Sequence, residues 1–284
     1  MKVNFEIEDD FPCLVDPTLD PHAFYKSFLQ AEELLENSPK QIRETSEERL
    51  AEITSFLYHG GDSSAALYRK RDDAAASLAG FWLSSVRRLA GWFAVANDLP
   101  KFVTLDKETL VELPRKFSNP YSLPELPSFL GKLGIVLIWE KALPSMKVDG
   151  AIFQMRTGHV VIALSLRYSR RDNFWFTLLH ELAHAALHAD QLEQPILDDL
   201  DITAESLIER QADKLASDSL IPRNEWRSCA ARYSNSTDDI LAFAKHLGIA
   251  PQCVAGRLQR EQNRYDLFSK IINEFDVRKI LNGN

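Results

Sequence analysis

The residues of this chain best placed to do chemistry are His180-Glu181-Leu182-Ala183-His184. On a helix, positions i and i+4 lie roughly 40° apart and about one turn apart along the axis, so both imidazoles aim at one point. That point suits Zn²⁺, which accepts a neutral imidazole nitrogen at about 2.0–2.1 Å. Glu181 stands roughly 100° further round the helix, beside the ion and not on it. There a carboxylate can take a proton from an activated water. The flanking Leu178, Leu179, Leu182, Ala183 and Leu187 give the segment the apolar face of a core helix. A catalytic zinc takes a third protein ligand and keeps its fourth position open. The remaining elements must supply that ligand and a cleft.

The other histidines do not extend the pair. His188 continues the i, i+4, i+8 series, but it lies about 12 Å along the axis from His180, too far to share an ion. It reads as a helix-end residue. His22, His59, His159 and His246 have no partner at ligand spacing. A helix expected over residues 204–220 follows an acidic loop and carries Glu209. The loop leaves room for this helix to return antiparallel across the metal, with Glu209 as third ligand. Ala212 and Ala216 share the face of Glu209 and would let the two helices approach closely. Asp213 either holds the N–H of a ligand histidine or is an exposed i, i+4 carboxylate. Cys13, in a Pro-flanked arm, is either an ordinary buried cysteine or a thiolate that reaches the cleft as an inhibitory fourth ligand. Cys229 and Cys253 sit in half-apolar helical stretches and read as packing residues.

The positioning elements follow from periodicity. Residues 1–20 read as an extended arm punctuated by Pro12, Pro17 and Pro21. Helices are expected from near Pro21, from Gln41 to Leu57, and from Ala65 to about Asn97. In the last of these the aromatic residues read as core, and Arg69, Lys70, Arg71, Arg87 and Arg88 as a solvated face. A loop-rich stretch runs to Pro124. A short helix from Pro127 and strands at 135–139, 150–155 and 159–166 precede the motif helix. Beyond Pro222 the chain is helical, with a helix–turn–helix-like pair at 238–262 and a last helix over roughly 265–275. The pattern gives an α+β fold: a helical N-terminal region over 1–120, a zincin-like core of small sheet plus motif helix over 121–223, and a helical C-terminal region over 224–284.

Composition narrows the function classes. The 284 residues are 45% hydrophobic and 26% charged, with net charge −8, ordinary for a soluble globular protein and opposed to broad nucleic-acid binding. No run of 18 apolar residues marks a membrane span, and the acidic N-terminus has no signal-peptide core. Three scattered cysteines fit a reducing cytoplasm. The helix–turn–helix-like pair has few cations and reads as structural or partner-docking, so direct nucleic-acid binding is not expected.

In combination, several segments resemble the ImmA/IrrE family of zinc metallopeptidases, in particular members associated with HigA-type regulators. They are Leu143-Pro144 with Val148-Asp149-Gly150-Ala151, Leu166-Arg167-Tyr168 with Asp172 to Phe176, His180 to His188, Asp198-Asp199-Leu200-Asp201, Glu209-x-x-Ala212-Asp213-x-x-Ala216, Leu220-Ile221-Pro222 with Trp226, and Val254 to Arg257. The likeness runs from about residue 65 to the C-terminus. It implies a cytoplasmic protease that cuts a repressor-type regulator after a stress or phage signal. His180, His184 and Glu209 would be the zinc ligands and Glu181 the general base. Residues 1–60 lack the helix–turn–helix domain that begins fused relatives, so the partner regulator would be a separate protein. Tyr168 and Arg167 are candidates to stabilise the oxyanion. The competing class is a non-catalytic, antitoxin-like protein that acts by binding, and a further option is hydrolysis of a small amide. The sequence carries no signal for an oligomeric state.

Overall fold

A computed structural model describes residues 74–143, 146–198 and 206–283, together with Leu29. The Pro-rich arm with Cys13, the two helices expected before residue 58 and residues 199–201 of the acidic loop lie outside the described residues. By its contacts the chain divides into two units, Met1–Ser85 and Val86–Asn284. In the first, the described residues open helix α1 (Ala74–Asn97), where Leu78, Phe81 and Trp82 are buried.

Within the second unit, Val86 is buried but Trp92 is 66% exposed, so the aromatic series of this helix does not all enter the core. Arg87 departs from the expected solvated face. Its guanidinium lies over the Phe153 ring at 5.0 Å, and burial lowers its pKa. The stretch expected to be loop-rich contains α2 (Lys107–Lys116), with Pro114 in its last turn. Asp106 starts this helix by accepting from the Thr109 N–H at 2.6 Å. Leu110 and Leu113 bury its apolar face. A 3₁₀ turn (Pro120–Glu125) and α3 (Leu126–Gly131) lead into the sheet.

The described strands are β1 (Ile135–Trp139), β2 (Gly150–Gln154), β3 (Val160–Leu164) and β4 (Ile196–Asp198), in spatial order β1-β3-β2-β4. β1 runs parallel to β3, and β2 is antiparallel to both neighbours. The first three match the apolar runs of the sequence. β4 falls where an acidic loop is expected. It pairs Ile196 with Ile152 and Asp198 with Gly150, so the outer edge of β2 is taken.

Helix α4 (Arg171–Leu187) carries the motif and is buried from Phe174 to Ala185. A helix buried all round needs partners on every side. The sheet supplies one. Others are α5 (Leu207–Leu220) and α9 (Pro251–Gln262), with α6 (Arg223–Ser228), α7 (Ala231–Ser234) and α8 (Thr237–Leu247) between them. Where the last helix is expected, over roughly 265–275, the structure has the short α10 (Ser269–Ile272), and α11 (Val277–Asn282) follows beyond it. Asp276 starts the second by accepting from the Lys279 N–H, so the chain restarts rather than continues a helix at that point. The hydrophobic cluster runs without interruption from α2 through the sheet and α4 to α11. Among the described residues, no helix is long and apolar enough to cross a membrane.

Candidate metal centre

On α4, His180 and His184 are one turn apart and almost fully buried, and Glu181 is 0% exposed. Burying three polar side chains in the middle of a core helix is costly unless they are satisfied. Helix α5 supplies partners for the two histidines. Its first turn follows a capping-box pattern, Ser206-x-x-Glu209, and Ser206 Oγ accepts from the Glu209 N–H at 3.2 Å. The Glu209 carboxylate sits at the positive end of the helix, where a negative charge is favoured, and faces the histidine pair. Ala212 and Ala216 are fully buried, in keeping with a close approach of α5 to α4.

His180 Nε2 and His184 Nε2 are 3.0 Å apart. Glu209 Oε2 lies 3.2 Å from the first and 3.3 Å from the second. Three ligands about 2.0–2.1 Å from a tetrahedral ion stand roughly 3.3–3.4 Å from one another. These three atoms are near that spacing. The chemistry of the donors points the same way. His180 Nδ1 is 3.0 Å from Asp213 Oδ1. Since a carboxylate accepts, the proton of a neutral ring belongs on Nδ1, and Nε2 presents a bare lone pair to the carboxylate of Glu209. Lone pairs facing one another at this distance call for a cation between them. His180, His184 and Glu209 can therefore hold a divalent metal, and they are the His/Cys/Asp/Glu cluster among the described residues whose ligand atoms converge to within 4.8 Å.

Glu181, on the adjoining face of the helix, points toward β2. A Cβ on Gly150 would lie 2.0 Å from Glu181 Oε1 and 2.9 Å from Thr177 Cγ2, so the missing side chain of Gly150 makes room for the Glu181 carboxylate. Gly150 reads in the sequence only as a strand residue, although an isolated Gly in a strand often marks a close approach. His188 is the other residue whose contact was not legible. It ends α4 as expected, yet it is buried and its Nδ1 lies 3.1 Å from His184 Nδ1. Its eight-residue separation from His180 rules it out as a ligand, and its i, i+4 spacing from His184 puts it beside one.

The other singled-out residues have structural places. Arg167 Nε lies 3.2 Å from the carboxylate of buried Asp149, and its Nη2 donates to the Tyr168 hydroxyl at 3.2 Å. They border a small cavity with Asn173 and Thr177, and Thr177 is one turn before Glu181. His159 Nε2 is 3.0 Å from the Leu99 carbonyl, and His246 Nε2 is 3.2 Å from Glu225. Cys229 and Cys253 are buried and free. Burial pushes the Cys253 thiol far up, so it is a neutral packing group. In the helix–turn–helix-like pair, α9 is buried from Gln252 to Gly256. A Cβ on Gly256 would stand 2.0 Å from Asp172 Oδ2 on α4, so that face is packed in the core and not free to enter a DNA groove.

Residues 131–259 match the family model of the IrrE N-terminal-like domain, Peptidase_M78. The matched segment holds the sheet, α4, α5 and most of α9, and the family supports a metallopeptidase-type function on a mixed α+β, zincin-like fold. No curated protein matches the chain.

Proposed function

Because residues 131–259 belong to the ImmA/IrrE family of metallopeptidases, we propose that this chain is a zinc-dependent endopeptidase. Its substrate is a separately encoded helix–turn–helix regulator of repressor or antitoxin type, cut in a stress or phage-defence response. The observation that carries the reading is the convergence of His180 Nε2, His184 Nε2 and Glu209 Oε2, with Glu181 on the adjoining face of the same helix. His180, His184 and Glu209 would hold the zinc, and Asp213 would hold the His180 N–H. When bound, zinc supplies Lewis acidity toward water and toward the scissile carbonyl. Glu181 takes the proton of the attacking water and passes it to the leaving amide nitrogen. Gly150 leaves the space that its carboxylate occupies. An extended substrate segment would add along the β4 edge of the sheet, next to the strand that abuts Glu181.

The test is co-expression with the helix–turn–helix regulator encoded nearest the gene, read by intact mass. Wild type should yield two regulator fragments that sum to the intact chain plus one water. Glu181→Gln, which cannot accept the proton, should cut at least about 10²-fold more slowly. Equal cutting by the variant would remove the proposed chemistry. An intact regulator whose biological control survives in Glu181→Gln would favour a non-catalytic, binding-only protein.

A further inference from the structure

That mechanism makes no use of His188, yet this buried ring faces a proposed ligand. His184 Nδ1 and His188 Nδ1 are 3.1 Å apart, and His188 Nε2 is 3.0 Å from Gln211 Oε1 on α5. The ring has little freedom. His188 closes α4, its N–H donating to the His184 carbonyl at 2.8 Å, and its centroid lies 5.2 Å from that of His184. We propose that His188, backed by Gln211, is a positioning residue that fixes the tautomer of His184 and so presents its Nε2 as a ligand. The inference rests on the metallopeptidase reading above.

A contact between two ring nitrogens needs one proton between them, and either ring can own it. If His188 donates from Nδ1, His184 accepts there and its single proton moves to Nε2. That nitrogen faces Glu209 Oε2 at 3.3 Å, and with a proton on it His184 cannot bind a metal. If His184 donates, its Nε2 lone pair is free for the ion. The choice is made at the far end of the chain. An amide oxygen at Gln211 accepts a hydrogen bond from His188 Nε2–H, and a ring with its proton on Nε2 has Nδ1 bare and able to accept from His184. Two different devices thus serve the histidine pair: an anionic carboxylate, Asp213, behind His180, and a neutral imidazole–amide chain behind His184.

The experiment measures zinc affinity by chelator competition and the visible absorption of the cobalt-substituted protein. In Asn, the side-chain oxygen takes the place of the histidine Nδ1 acceptor, whereas Leu offers none. His188→Leu should bind zinc about 10- to 100-fold more weakly and shift the cobalt bands. His188→Asn should recover most of the affinity and the wild-type spectrum. Gln211 is exposed, so its variants test the relay with little risk to folding. Gln211→Lys, which only donates, should weaken binding about 10-fold, and Gln211→Glu, which only accepts, should not. Unchanged affinity and spectrum in His188→Leu would overturn the proposal. So would equal losses in His188→Leu and His188→Asn with Gln211→Lys at the wild-type value, because the ring would then serve by packing alone. A wild-type protein that binds no zinc is a separate result, one that fails the metallopeptidase reading itself.

Discussion

Gly150 is the residue on which the proposed chemistry leans without taking part in it. Any side chain there would occupy the space of the Glu181 carboxylate. Gly150→Ala should therefore displace the base while leaving the histidines and Glu209 in place. A misplacement of about 1 Å can cost on the order of 10²-fold in rate. Peptidase kinetics of the variant should show that loss in kcat with zinc content unchanged, whereas a wild-type kcat would disconnect Gly150 from the base. The histidine pair was legible in sequence because i, i+4 geometry is local. Glu209 was legible through the helix that carries it and through the family resemblance. Gly150 and Gln211 were not, because their partners lie on other elements. His188 was legible as a helix-end residue, whereas its contact with His184 depends on side-chain rotamers that spacing alone does not fix.

Among the elements, the α4–α5 pair makes the site and α9 holds α4. The second contact brings Gly256 close against Asp172, where Asp172 is also held by Arg170 at 2.7 Å. Gly256→Ala should overpack this crossing and cost about 1–3 kcal/mol, read as a lower melting temperature. A variant as stable as wild type would mean that α9 is not a structural support of α4. The end of α5 is fixed from two sides: Arg115 donates to the Ser219 carbonyl at 3.2 Å and Arg257 to the Ile221 carbonyl at 3.0 Å, cations where the helix dipole favours them. Strands β1 to β3 and helices α4, α5, α8 and α9 could be read from apolar periodicity and from caps. β4 could not, because a three-residue strand paired at an acidic loop has no period of its own. Helix α2 was hidden by Pro114 and the prolines that flank it, and the exposure of Trp92 because an aromatic at helical spacing does not by itself show which face is covered.

Over the whole molecule, the sheet, the motif helix and the C-terminal helices share one hydrophobic cluster, so the site is framed by residues from Phe102 to the C-terminal helices and not by the motif segment alone. Burial explains why much charge within it is structural. Arg171 on α4 donates to the Phe117 and Ser118 carbonyls, and desolvation lowers its pKa. The α+β class and the metallopeptidase family were legible because the motif, the small sheet and the Glu209 helix agree with one another. The partner is a matter for experiment, since the proposed substrate contacts are surface features without a residue code. The most direct measurement of the central claim is the zinc bound per chain, by native mass spectrometry after dialysis against trace zinc, for wild type, Glu181→Gln and Glu209→Ala. The account predicts one zinc in the first two and its loss in the third. Wild type without zinc, or Glu209→Ala that keeps a full equivalent, would contradict it.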